Sequence, residues 1–252
     1  LEVASKIHGQ DMNGDGEGDF GSCIFKKRNA QSYFAIQTFA APIVQTQGTA
    51  QGFHFDNATM KPIINNEGWK KAFELYKATG QYGPPDELNM DIGDTRALFK
   101  AGRCGLIVEW GDPGTLQLDD DAKSIRGKMY AISAVGSTEV LDRATGKLVP
   151  VSAATAPYAV DGINYAPFAA FGGWAGAVNK GADAKTKAAA YAFLSYMNQA
   201  AQSGVDVTIG ATGYNPYRTS QLASTDLWVK AGMPKALADN YLGAINGAIN
   251  NL

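Results

Sequence analysis

The segment Asp11-Met-Asn13-Gly-Asp15-Gly16-Glu17-Gly-Asp19 constrains the path of this chain more tightly than any other stretch of it. Side-chain oxygens fall at positions 1, 3, 5 and 9 of the loop, and Gly16 stands at position 6, where a sharp turn is needed. Hard cations such as calcium gather about six to eight oxygens at roughly 2.3 to 2.6 Å, which alternate residues of a tight loop can supply. The spacing therefore predicts a metal-ligating set of Asp11, Asn13, Asp15, Glu17 through its carbonyl, and Asp19. The other reading is a Gly/Asp-rich surface turn with no ion, in which these acids would crowd like charges among Gly14, Gly16 and Gly18 to no purpose. The role expected of the ion is structural, because the loop sits between the end of a helix and the start of a strand, where an ion would pin it rather than perform chemistry.

Position 12 is Ser22, so the loop departs from the EF-hand pattern with its bidentate Glu, and an external carboxylate or water would complete the shell. It looks more like the Asp-x-Asn-Gly-Asp-Gly-x-x-Asp loops of integrin-type propeller repeats.

Around the loop the pattern alternates between helix and strand. A helix tail stops at Gly9, an apolar run over 20–25 reads as a buried strand, and an Ala- and Phe-rich helix is predicted over 32–44. Asn65 and Asn66 offer N-caps to a helix with Trp69, Phe73 and Tyr76 on one face. Asp94 is expected to cap a short helix ended by Gly102, followed by a strand over 104–108 that stops at Glu109-Trp110. Further strands are predicted over 129–132 and 168–178, with a peripheral hairpin over 139–151. A helix over 184–200 is expected to bury Ala189, Phe193, Tyr196 and Met197, and terminal helices follow from about Thr225. This is an α/β pattern.

The 252 residues, 45% hydrophobic and only 18% charged, belong to a folded domain rather than a disordered chain. A net charge of −2 leaves no basic footprint for nucleic acid or anionic lipid, and no apolar run approaches a membrane span, so no direct membrane insertion is expected. The chain opens at Leu1 without a Met and reads as a piece of something longer. Cys23 and Cys104 match no metal spacing and are either a disulfide or two buried thiols. Asn57-Ala58-Thr59 is a glycosylation sequon if the protein is secreted by a eukaryote.

Three segments taken together, Phe99-Lys-Ala-Gly-Arg-Cys-Gly-Leu-Ile-Val-Glu-Trp110, Gly172-Gly-Trp-Ala-Gly-Ala-Val-Asn179 and Ala188-Ala-Ala-Tyr-Ala-Phe-Leu-Ser-Tyr-Met197, resemble family 1 extracellular solute-binding proteins of ABC importers. These are proteins of the maltose-binding, periplasmic-binding-protein type 2 kind. The resemblance implies a two-lobed α/β fold with a cleft and an incomplete first lobe. Residues 1–170 would be mainly the second lobe, 171–212 a crossing strand and remnant of the first, and 213–252 a returning loop and terminal helices. It implies a secreted or periplasmic location, a sugar-like small solute, and a membrane transporter or receptor as partner.

Carried over by position, Tyr33, Trp110, Gly173 and Trp174 would face the cleft, with Asp112 and Tyr214 beside it. Flat aromatic faces suit sugar rings, and carboxylates suit their hydroxyls. Trp110 and Trp174 could instead be core residues at strand ends, and Trp69 and Trp228 read as core. His8 and His54 lie in no catalytic motif, and nothing in the sequence tunes Glu109 against Asp112 as a glycosidase pair. No enzyme is expected. The rival to solute transport is a sensory or structural extracellular interaction domain derived from the same lobes.

Overall fold

The computed structural model describes residues 1–133, 135–168, 173–210 and 212–250. Helix α1 (Glu2–Ile7) ends beside Gly9, whose φ of +82° turns the chain into the acidic loop at a conformation only glycine adopts freely. Beyond the loop, β1 (Phe20–Cys23) runs parallel to β2 (Cys104–Ile107), with Phe20 opposite Cys104 and Cys23 opposite Ile107. A parallel pair needs a long crossover. Here it contains α2 (Ser32–Val44), α3 (Glu67–Thr79) and α4 (Ile92–Lys100).

Each crossover helix has a visible start or stop. The Asn66 side chain accepts the Trp69 N–H and opens α3. In α4 the cap is Asp91 rather than Asp94. Asp94 is the reciprocal partner, its carboxylate accepting the Asp91 N–H to complete a capping box. The C-terminal carbonyls of α2 are met by Arg143, which donates to Val44, Gln51 and Gly52, and by Asn164, which donates to Pro42 and Gln45.

The two cysteines form a disulfide with their Cα atoms 5.8 Å apart. It lies within a core of Phe99, Leu116, Ala122 and Ile125 and ties β1 to β2. The hairpin of β3 (Glu139–Asp142) and β4 (Lys147–Pro150) is not peripheral: Leu141 packs with Val44, Trp69 and Ala72 between α2 and α3. Beside β1, Lys26 and Glu87 form a buried ion pair, completed by Thr79 Oγ1 and the Ile24 N–H.

The second half is helical: α5 (Ala184–Met197), α6 (Ala200–Asp206), α7 (Thr219–Leu222), α8 (Asp226–Lys230) and α9 (Lys235–Asn250). Trp228, Met233, Leu237 and Tyr241 form its core. Three expectations fail in this region. Residues 129–132 make no strand, because Asn240 of α9 takes both the N–H and the carbonyl of Ala131 that a neighbouring strand would need. Residues 173–178 are irregular, and 169–172 of the expected crossing strand lie outside the described residues. Helix α5 holds no buried residue, and Phe193 and Tyr196 are 62% and 52% exposed. Phe73 of α3 likewise faces solvent while Trp69 is buried. The α/β class stands, with small sheets.

Candidate functional site

The site forms where β2 ends. Trp110 leaves the strand and stacks on Phe25, with centroids 6.1 Å apart and planes inclined by 12°. It meets Phe34 of α2 edge-on at 5.1 Å. Tyr33 lies against Phe34 at 4.1 Å and keeps half its surface in solvent. Sequence order thus places one aromatic pair at the start of α2 and one aromatic at the exit of β2. The parallel pairing of β1 with β2 brings them together.

Beneath the Trp110 ring, Arg96 of α4 reaches both acids that flank it. Its Nε and Nη2 donate to Glu109 at 2.9 and 3.0 Å, while Nη1 and Nη2 donate to Asp112 at 2.8 and 3.0 Å. The guanidinium carbon is 6.0 Å from the Trp110 centroid, within cation–π range. Both carboxylates are buried, at 4% and 2% side-chain exposure. Burial pushes the Glu109 carboxyl up to about 7 against the opposing pull of Arg96. Burial works against the Arg96 charge as well, but Glu109 and Asp112 outweigh it and hold the guanidinium above its ordinary range. Burial, with Asp112 adding to it, also raises the phenol of Tyr241, whose hydroxyl has no hydrogen-bond partner among the described residues.

The other predicted residues approach from the chain's second half. Asn215 Oδ1 sits so close to Gly111 that a β-carbon there would come within 3.1 Å of it. A β-carbon at Gly213 would lie 3.7 Å from Trp174 Nε1. Tyr214, 37% exposed, stands between those two contacts, and Trp174 is 73% exposed. Gly173 has φ +107°, a geometry closed to other residues, and this lets the chain turn into Trp174. Tyr33 and Trp110 thus meet through Phe34, while the segment 213–215 comes beside Gly111 at one end and beside Trp174 at the other. Asp112 does not join them as a free acceptor, because both its oxygens belong to Arg96. Arg96 itself gave no sequence signal beyond being a lone Arg on a short helix ahead of two acids.

Two concavities lie elsewhere: one of about 410 Å³ among α7, α8 and α9, lined by Ser224, Asp226, Lys235 and Asp239, and one of about 250 Å³ beside Gln117, Arg126 and Gly232. Neither contains an aromatic side chain in its lining.

The acidic loop closes at its base, where Gly9 N–H donates to the Asp19 carbonyl and Asp19 N–H to that of Gln10. Inside, the Asp11 carboxylate accepts the N–H groups of Gly14, Asp15 and Gly16, Asn13 Oδ1 accepts that of Asp15, and Asp15 Oδ1 that of Glu17. Asp19, 1% exposed, accepts from Met12 and Asn13 through Oδ2. The positive charge facing this wrap is Arg103, at the turn between α4 and β2. Its Nη1 donates to Asp15 at 2.9 Å and Glu17 at 3.0 Å, its Nη2 to the Gly18 carbonyl at 3.2 Å, and its Nε lies 3.0 Å from Asp19 Oδ1. Arg103 thus stands against Asp15 and Asp19, two of the predicted ligands. Among the described residues no three His, Cys, Asp or Glu side chains converge as a metal would require.

Compared with protein-family models, with curated proteins and with solved structures, the chain matches none.

Proposed function

We propose that this chain binds a small polar solute, with carbohydrate the favoured class, against the aromatic surface of Tyr33, Trp110, Tyr214 and Trp174, as part of a two-lobed extracellular solute-binding protein. One observation supports the reading: Trp110 is held by Phe25, Phe34 and Arg96, and the segment that carries Tyr214 packs beside the next residue, Gly111, and reaches Trp174. A firmly held, partly exposed indole suits the apolar face of a sugar ring. We read binding without chemistry here: Glu109 and Asp112, the two acids beside Trp110, share one guanidinium rather than standing free as a glycosidase pair. In the same reading the loop from Asp11 to Asp19 is a structural clamp that can take a hard cation such as calcium, apart from the solute surface.

Thermal-shift and calorimetric screening of mono- and oligosaccharides tests the proposal. A stabilising sugar whose effect is lost in Trp110→Ala and reduced in Trp174→Ala supports it; no response to any sugar, or a response indifferent to both changes, overturns it. A second reading, an extracellular interaction domain, is favoured by the exposed Tyr191, Phe193 and Tyr196 of α5. Self-association or partner capture abolished by Phe193→Ser, with the aromatic surface indifferent to sugars, would select it.

A further inference from the structure

We propose that Arg103 is the resident cation of the acidic loop, and that a hard divalent ion enters the loop only by displacing the Arg103 guanidinium. This rests on the calcium reading of the loop and goes beyond it. The guanidinium takes Asp15, Glu17 and the Gly18 carbonyl as acceptors and stands 3.0 Å from Asp19 Oδ1. Two of those carboxylates, Asp15 and Asp19, belong to the set that would ligate an ion through side-chain oxygens. Cation and guanidinium need the same oxygens, and like charges at such separation repel. Displacement rather than addition follows.

Two further observations point the same way. Among the described residues Asp19 Oδ1, sealed from solvent, accepts no hydrogen bond and has only the ion pair with Arg103 Nε at 3.0 Å. A buried anionic oxygen with charge beside it but no directed donor is incompletely satisfied. An ion at bonding distance would satisfy it. The backbone of Arg103 is also held independently of its side chain: its N–H donates to Leu98, its carbonyl accepts from Phe20, and the next residue is in the disulfide. The guanidinium can therefore withdraw by side-chain rotation alone. Asn13 Nδ2 bonded to the Ala101 carbonyl at 3.3 Å keeps the loop seated on the 101–103 turn while it does so. Four loop acids against one guanidinium leave the loop net acidic, and this charge attracts the incoming ion.

The test uses the parent chain, Arg103→Gln and Arg103→Lys, with near-UV circular dichroism to establish native folding. Where the Gln variant does not fold, the Lys variant, which keeps the charge and loses the fork, takes its place. Amide exchange in chelator comes first. The Gly14, Asp15, Gly16 and Glu17 N–H groups should exchange faster in Arg103→Gln, and added calcium should restore their protection. Calorimetric titration with calcium chloride comes second. The variant should bind calcium about tenfold more tightly or better, since the parent's competent state is reduced by the docked guanidinium. Unchanged exchange in chelator overturns the role of Arg103 as resident cation. Equal or weaker calcium affinity in Arg103→Gln overturns displacement. Faster exchange with no calcium binding by either chain overturns displacement and the calcium reading together, and neither result touches the sugar surface, which is read separately.

Discussion

Two arginines seven positions apart, Arg96 in α4 and Arg103 at the turn after it, each gather carboxylates around one guanidinium, and the two clusters differ most in their exposure to solvent. Around Arg96 the partners Glu109 and Asp112 are 4% and 2% exposed; around Arg103 the partners Asp15 and Glu17 are 44% and 76% exposed, and only Asp19 is sealed. The same chemistry gives opposite electrostatics. Burial drives Glu109 up to about 7. At the loop, the Glu17 N–H first, then Asn13 and Arg103, hold the Asp15 carboxyl below its ordinary range. A carboxylate is made expensive where water is excluded and comfortable where hydrogen bonds are added without excluding it. The first cluster is accordingly a platform beneath Trp110, and the second is an exchangeable clasp.

The comparison breaks first on deletion. Arg96→Ala leaves two buried carboxylates without a counter-charge and should cost about 3 to 5 kcal/mol in urea unfolding. Arg103→Ala should move the unfolding midpoint far less. Equal losses would show that burial is not what separates the clusters. Reducing the disulfide, or changing Cys23 and Cys104 to Ser, should cost about 2 to 5 kcal/mol, since the bond closes a loop of 81 positions. Because β1 leads from the clasp and β2 leads to the platform, both should loosen in that variant: Trp110 fluorescence for one, loop amide exchange for the other. Loosening of one alone would mean that the clusters are held independently.

The sign of the pH response sharpens the contrast. Glu109 in the folded chain is raised from its ordinary 4.5 to about 7. Its contribution to stability is complete below pH 4.5 and is lost as pH rises through 7. Glu109→Gln cannot titrate. The stability of the parent relative to that variant should therefore fall by about 3 kcal/mol between those limits, measured by denaturant titration at each pH. A difference independent of pH would mean that Glu109 stays ionised throughout, with Arg96 dominating its burial.

How much of this could be read from the sequence depends on the range of the interactions. The loop from Asp11 to Asp19, the helices at Ser32–Val44 and Glu67–Thr79 and the hairpin turning at Gly146 are set by local spacing, caps and glycines, and the sequence pattern finds them. Arg96 and Arg103 were missed because an arginine's partners are chosen by tertiary pairing: Arg103 meets Asp15 across 88 positions, which no periodicity signals. The failed strand over 129–132 is the same lesson in the backbone, because its hydrogen bonds go to Asn240, 109 positions from Ala131. Helix α5 fails differently. Its apolar residues were read as a buried face, yet composition specifies only that a face is apolar, not that a neighbour covers it. Tyr33, Trp110, Tyr214 and Trp174 were chosen by resemblance. The approach of Tyr33 to Trp110 follows from β1–β2 pairing, and that of the segment 213–215 to Gly111 from Asn215, neither of which has a local signature.

The smallest expected effect is confined to the clasp. Asp15 is depressed in the folded chain, so its contribution is present above 3.8, its ordinary value, and is lost as pH falls further through the folded value. The loop amides should stay protected across neutral pH and open only in stronger acid, with the rates corrected for intrinsic exchange. This is the reverse of the platform, which weakens toward alkaline pH. Salt should separate the two again. Raising ionic strength from about 0.1 M to 1 M shortens the screening length from roughly 10 Å to 3 Å for exposed charges and does little to buried ones. Exchange at Gly14 to Glu17 should therefore quicken with salt while Trp110 emission holds. Salt-insensitive exchange at the loop would mean that its backbone hydrogen bonds to Asp11 and Asp19, rather than Arg103, keep it closed, and the parallel between the two arginines would then be one of geometry alone.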